Sequence, residues 1–197
     1  MIVRKLSEYG REEALLGLSL SFYDHQDNIQ DWWYESGKEV KAAKQAGVLA
    51  FKGLGHNKYL ASIGVWLYIQ AARCWWSEFD TYKVGVTANS SSTMHTLSRR
   101  QTNENDFEQG TSLSSIEAFN SCLQDYKDPE STFYHDITRL KLNLPEGWLQ
   151  ERQVFCNYMS LQNIIKQRTG HRLDYWDIFC DRVLEQVDYP ELLKEQE

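Results

Sequence analysis

Arg168 closes a helical stripe that is otherwise apolar: Leu161, Ile164, Ile165 and Arg168 stand at i, i+3, i+4 and i+7. A guanidinium offers donors only and stays charged. On such a face it requires an anion or several acceptors, because leaving it unpaired costs on the order of several kcal/mol. The alternative is a partly buried salt bridge to a carboxylate. The second chemistry-bearing stretch is 65–95, VWLYIQAARCWWSEFDTYKVGVTANSSSTMH, where a dense aromatic block opens into a segment rich in Gly, Ser and Thr. An apolar scaffold that delivers small hydroxyl and amide side chains suits a site holding a nucleotide or a flavin. Ser90, Ser91, Ser92 and Thr93 alone would read as ordinary loop or cap residues, and His56 and His95 as ordinary polar ones. The sequence contains no nucleophile–base pair, P-loop or dinucleotide glycine fingerprint.

These residues need elements to hold them. Over 39–51 the sequence predicts an amphipathic helix, with Val40, Ala43, Gly47 and Phe51 inward and Lys38, Lys41 and Lys44 mostly on the other side. The run 65–69 is short, aromatic and β-branched, which predicts a buried strand. Ala72, Trp75, Trp76, Phe79 and Tyr82 then recur at three- and four-residue steps, predicting a helix from Ala71 or Ala72 that ends near Gly85. The polar segment 90–111 is expected to be a surface loop or lid, disordered without ligand. Cap residues from Ser112 precede Ile116, Phe119 and Leu123, giving a helix that stops by Pro129. A second polar connection follows, 142–147 reads as a turn, and 153–156 as a short strand. After the stripe ending in Arg168, Gly170 is a suitable C-terminal cap. Leu173, Trp176, Cys180, Val183, Leu184 and Val187 form a second stripe, so two helices are expected to pack side by side.

The chain has 197 residues, 42% of them hydrophobic and 13% aromatic, enough for one domain with a sizeable core. No apolar run reaches membrane-spanning length, and the N-terminus has no signal-peptide core; a cytoplasmic protein with no membrane partner is expected. A formal charge of −7 argues against a surface that tracks a nucleic-acid polymer, while a small nucleotide needs only a few inward cations. Cys74, Cys122, Cys156 and Cys180 are far apart, form no metal-binding spacing and are expected to be free thiols, with no metal site.

Pro145, Asn157, Leu161 and Arg168 reproduce the order and spacing of a known C-terminal pattern. It belongs to the flavin-dependent thymidylate synthases (ThyX): a leucine-proline turn, then Asn-x-Arg-x-Leu, then a further arginine. The stretch from Ile69 to Met94 resembles the same family's signature segment, an apolar strand and aromatic helix leading into Gln-x-x-Arg-His-Arg and Ser-x-Arg. The resemblance implies an α/β (α+β) fold of the ThyX type over residues 1–197, a central, mostly antiparallel twisted sheet flanked by helices. It also implies a homotetramer with pockets where subunits meet, and part of the aromatic surplus would then be interface. By position, Arg168 would touch the uracil ring of dUMP and stabilise charge developing on it, and Lys141 would take the place of a phosphate-binding arginine. Ser91 or Ser92 would lie near the nucleotide phosphate, and Glu78 stands where the family has glutamine. Asn157, Lys83, Asn89 and His56 fall on the cofactor side. The implied cofactor is FAD, joined by NADPH and methylene-tetrahydrofolate if catalysis is retained.

The departures from the pattern carry information as well. Thr81-Tyr82-Lys83 replaces Arg-His-Arg, Met94 or Thr93 replaces the arginine of Ser-x-Arg, and Met159 that of Asn-x-Arg. Lysine is a point charge and methionine offers no donor, so phosphate recognition falls steeply unless Arg73, Arg99, Arg100 or His95 compensates. With these departures, the resemblance implies a divergent synthase-like enzyme transferring a one-carbon unit to a pyrimidine nucleotide. The alternative is a non-catalytic derivative that senses or sequesters a nucleotide. A third reading is a structural relic whose aromatics only pack a core. Compact size and the clipped motif suit a phage-encoded or mobile-element protein.

Overall fold

Four strands are separated by one to three helices each, the helices carrying apolar stripes of 3.6-residue period. The computed structural model describes residues 1–24, 28–34 and 37–195. In chain order the elements are β1 (Ile2–Tyr9), α1 (Arg11–Ser19), α2 (Ile29–Tyr34), α3 (Lys38–Leu49), β2 (Gly64–Ala72) and α4 (Arg73–Phe79). They continue with β3 (Val86–Ser90), α5 (Thr93–Thr96), α6 (Leu113–Lys127), α7 (Ile137–Leu142), β4 (Leu149–Asn157), α8 (Tyr158–Arg168) and α9 (Tyr175–Gln186). The strands form one antiparallel sheet in the order β1-β2-β4-β3, flanked by helices. Two compact units divide the chain: the first comprises Met1–Ile2, Ile69–Thr81 and Ala88–Gln153, the second Val3–Tyr68, Tyr82–Thr87 and Val154–Glu197. Among the described residues no helix is long and apolar enough to cross a membrane.

The first unit has its own core, in which Leu97, Phe107, Ile116, Phe119, Leu123, Leu140 and Leu144 are buried together. Three of these are the predicted stripe of α6, which begins after Ser112 and ends at Lys127, as its cap residues and Pro129 require. The segment 90–111 is folded, contrary to the expected disorder. Leu97 and Phe107 anchor it in the core, and its backbone turns through α5 and a 3-10 turn at Glu104–Asp106. That turn is closed by a capping box between Asn103 and Asp106, and Arg100 beside Asp106 holds its carboxyl below the usual range. The polar connection after α6 likewise contains a helix, α7, whose N-cap Asp136 accepts from the Arg139 N–H at 3.0 Å.

In the second unit α3 forms where expected but buries a different face. Ala42, Ala46 and Ala50 are the inward residues, whereas Val40 is 61% exposed. Alanine at i, i+4, i+8 lets α1 pack closely on α3, and the Tyr59 hydroxyl reaches the Ala46 carbonyl at 2.8 Å. Trp176, Cys180, Val183 and Val187 are buried along α9, which packs on α8; Gly170 follows α8 at φ +72°. All four cysteines are free, and burial pushes the Cys156 thiol up to about 12 and Cys180 up to about 11.

A buried polar network ties β1 to the C-terminal segment of this unit. The Tyr158 hydroxyl donates to Glu8, and the Glu8 carboxylate also accepts from the Asp188 N–H at 2.9 Å and from Lys5 at 3.3 Å. Burial, then the hydrogen bond to Glu8, pushes the Tyr158 phenol far above its ordinary range. Tyr158→Phe removes the donor while leaving Glu8 almost wholly buried, its side chain 3% exposed. Urea unfolding of that variant is expected to show a loss of about 1–2 kcal/mol.

Candidate functional site

α8 starts at an asparagine cap, and its last residue is Arg168. The Asn157 side-chain oxygen accepts from the Ser160 N–H at 2.9 Å. This bond satisfies a backbone donor that a helix start would otherwise leave unpaired. The helix start also holds the loop 80–85. The Asn157 N–H donates to the Gly85 carbonyl at 3.1 Å, and the Ser160 hydroxyl to that of Val84 at 2.6 Å. Gly85 lies at φ +66°, and a Cβ there would stand 2.4 Å from Asn157 Nδ2 and 2.5 Å from Ser160 Oγ. Only glycine lets the loop press this closely against the start of the helix.

The loop thus anchored carries Tyr82 to the far end of α8. Arg168 Nε donates to the Tyr82 hydroxyl at 2.7 Å, and that hydroxyl donates to Gln167 Oε1 at 3.0 Å. The guanidinium carbon lies 4.4 Å from the centre of the Trp176 ring and 5.4 Å from that of Tyr82. Trp176 is fully buried on α9, so the cation rests on a rigid face. Nη1 meets His171 Nε2 at 3.0 Å, while His171 Nδ1 accepts from the Leu173 N–H at 3.2 Å. Arginine and a backbone amide both offer protons, and a neutral imidazole has one acceptor nitrogen, so only one of these two contacts is a hydrogen bond in any tautomer. Arg168 is therefore half-buried among three aromatic rings, continuing the apolar stripe as its spacing predicts.

The other predicted residues are placed as follows. In the second unit, Lys83 is exposed on the loop beside Tyr82, and His56 is exposed in the turn after α3. Neither side chain forms a hydrogen bond or ion pair among the described residues. In the first unit, Glu78 occupies the last turn of α4, its carbonyl accepting from the Thr81 hydroxyl at 2.7 Å. The predicted helix from Ala71 to Gly85 is thus shorter, ending at Phe79 where Thr81 and the Asp80 N–H close its final turn. Asn89 is exposed on β3; the Ser91 N–H pairs with the Glu151 carbonyl at 2.9 Å. Ser92 is the N-cap of α5, and Lys141 is exposed on α7. Of the cations considered as compensation, Arg73 donates to the Leu144 carbonyl at 2.9 Å and pairs with Glu146, and Arg100 pairs with Asp106.

Arg152 went unread in the sequence. It lies 4.2 Å above the Trp76 ring and pairs with Asp80 at 2.6 Å. Its signal was alternation: Arg152 shares a strand face with the buried Val154 and Cys156. The strand β4, Leu149–Asn157, is longer than the predicted 153–156 because it is paired between β2 and β3.

No family model matches the sequence, and neither does any curated protein. Solved structures do. The flavin-dependent thymidylate synthase ThyX from Helicobacter pylori, complexed with FAD and dUMP, is similar with a TM-score of 0.74 over 99% of this chain and 99% of that chain, at 14% sequence identity. A second structure of ThyX from that organism with FAD and dUMP gives a TM-score of 0.75 at 14% identity, covering 99% of this chain and 98% of the other. The UMP/dUMP methylase PolB from Streptomyces cacaoi, bound with 5-Br dUMP, gives 0.64 at 10% identity, covering 93% of this chain and 88% of that one. The chain thus has a ThyX-like fold.

Proposed function

We propose that this protein binds a pyrimidine nucleotide such as dUMP, with Arg168 meeting the polarised oxygens of the base. The observation that carries this reading is the fixed guanidinium: Tyr82 holds its Nε at 2.7 Å and Trp176 supports its face at 4.4 Å. A planar cation held on a rigid frame has already lost the rotamer freedom that binding would otherwise remove. The dUMP and 5-Br dUMP present in the similar structures support the choice of base. Lys141 and Ser91 or Ser92 are proposed to meet the phosphate, Glu78 to line the nucleotide site, and Asn157, Asn89 and His56 to lie on its cofactor side. A homotetramer in the cytoplasm is the proposed assembly.

Flavin-dependent one-carbon transfer to the base is the second reading, supported by the FAD in the similar structures. A bound FAD would supply hydride chemistry. The triplet Thr81-Tyr82-Lys83 fits its diphosphate poorly. Thr81 Oγ1 is donated to the Glu78 carbonyl, and the Tyr82 hydroxyl is engaged by Arg168 and Gln167, which leaves Lys83 as the exposed cation of the three. This favours the non-catalytic reading, a protein that senses or sequesters its nucleotide.

Thermal unfolding with a panel of dUMP, UMP, dTMP, cyclic nucleotides and FAD separates the two. Saturating dUMP is expected to raise the melting temperature by several degrees, since ligand at a hundred times its Kd adds about 2.7 kcal/mol. FAD is expected to leave it unchanged. A shift with FAD and yellow reconstituted protein would favour the second reading instead, and no shift with any pyrimidine nucleotide would defeat both.

A further inference from the structure

The middle residue of the altered triplet points to a role the sequence pattern does not contain. Arginine Nε carries one hydrogen and no lone pair available to accept, so the 2.7 Å contact has a single sense: Arg168 donates and Tyr82 accepts. The tyrosine's own proton must then go elsewhere, and Gln167 Oε1 takes it at 3.0 Å. Gln167 is itself oriented, its Nε2 donating to Asn163 Oδ1 at 3.0 Å one turn earlier on the exposed side of α8. A hydroxyl that donates to an amide oxygen is the better acceptor on its other side. The bonds therefore form a directed series, Asn163 with Gln167, Gln167 with Tyr82, and Tyr82 with Arg168.

We infer that Tyr82 is the positioning residue of Arg168: its hydroxyl, oriented by Gln167, fixes the rotation of the guanidinium in its own plane, and so sets which edge meets the base. The Trp176 face sets the plane of the cation, and contacts along its edge set its rotation within that plane. The Nε bond is the shortest of the edge contacts described above. A planar base with adjacent carbonyl and N–H groups is discriminated by the angle at which a planar donor presents itself. The inference rests on the reading of Arg168 as the nucleotide contact, and it assigns Tyr82 to the nucleotide side of the site.

The test is Tyr82→Phe, which keeps the ring packed against Trp176 and removes one oxygen. Two measurements are needed. Without ligand, the Nε–H resonance of Arg168 in a nitrogen-15 spectrum is expected to exchange slowly with water in the native protein and at the rate of an exposed arginine in Tyr82→Phe. Unchanged protection in the variant overturns the assignment, whatever the protein binds. By titration calorimetry with dUMP, Tyr82→Phe is expected to bind about tenfold more weakly, and to cause no further loss in an Arg168→Ala background. Affinity within twofold of the native protein would also overturn it. If native protein binds no pyrimidine nucleotide, the preceding functional reading fails while the exchange measurement still decides whether Tyr82 holds Arg168. Should Tyr82→Phe not fold, Gln167→Leu on the exposed side of α8 serves: partial loss of Nε–H protection supports the series, and full retention overturns it.

Discussion

Arg168→Ala is expected to weaken dUMP binding by about a hundredfold or more, because charge-assisted contacts contribute about 1.5–3 kcal/mol each and a guanidinium makes them in pairs. The far-ultraviolet circular dichroism spectrum should remain native. Alanine also removes the cation from the Trp176 and Tyr82 rings, 4.4 Å and 5.4 Å away, at a stability cost of about 1–2 kcal/mol. The two effects separate the competing roles of the residue. A fall in stability with unchanged nucleotide affinity would make Arg168 a rivet between α8 and α9 and no more. Arg168→Lys is expected to restore little, since an ammonium has no planar face to rest on Trp176 and no Nε–H for Tyr82.

Gly85→Ala should be strongly destabilising for a single added methyl. The backbone there sits at φ +66°, which costs an alanine about 1–2 kcal/mol. The new carbon would also lie 2.4 Å from Asn157 Nδ2, so the cap of α8 must turn away from Ser160. Losing that cap costs about 1 kcal/mol more. The sum is a loss of about 2–3 kcal/mol, readable as a lower urea midpoint with an unchanged slope. The loop 80–85 carries Tyr82, so Arg168 Nε–H protection should fall in the same variant. A stability change of less than about 1 kcal/mol would mean that the loop does not depend on this close approach.

These effects divide along the line between what local pattern reveals and what it does not. The helices α6, α8 and α9 were legible because Ile116, Phe119 and Leu123, then Leu161, Ile164 and Ile165, then Trp176, Cys180 and Val183 are large apolar residues at helical spacing. In α3 the same logic chose the wrong face, since hydropathy ranks Val40 above Ala42 and Ala46. The small residues are inside because α1 approaches closely, a tertiary demand invisible in the periodicity. The helix α7 was missed because its cap, Asp136, sits in a run of polar residues that reads as loop. Arg168 could be picked out because a charge on an oily stripe contradicts its surroundings. Its partner Tyr82 could not, being 86 positions away and joined only by the fold. The triplet Thr81-Tyr82-Lys83 stood out against the pattern that the sequence resembles, while the geometry shows that Tyr82 reaches Arg168.

Neither compact unit is a continuous length of chain, for the polypeptide leaves and re-enters each between Ile69 and Val154. A chain ending at Gln153 would hold every segment of the first unit but only part of the second. During synthesis from the N-terminus, Val3–Tyr68 must wait for residue 154 and beyond before its own packing can close. Until the ribosome has delivered the helix that ends in Arg168, Val3–Tyr68 lacks the later segment of its own unit, although every segment of the first unit is made once Gln153 is out.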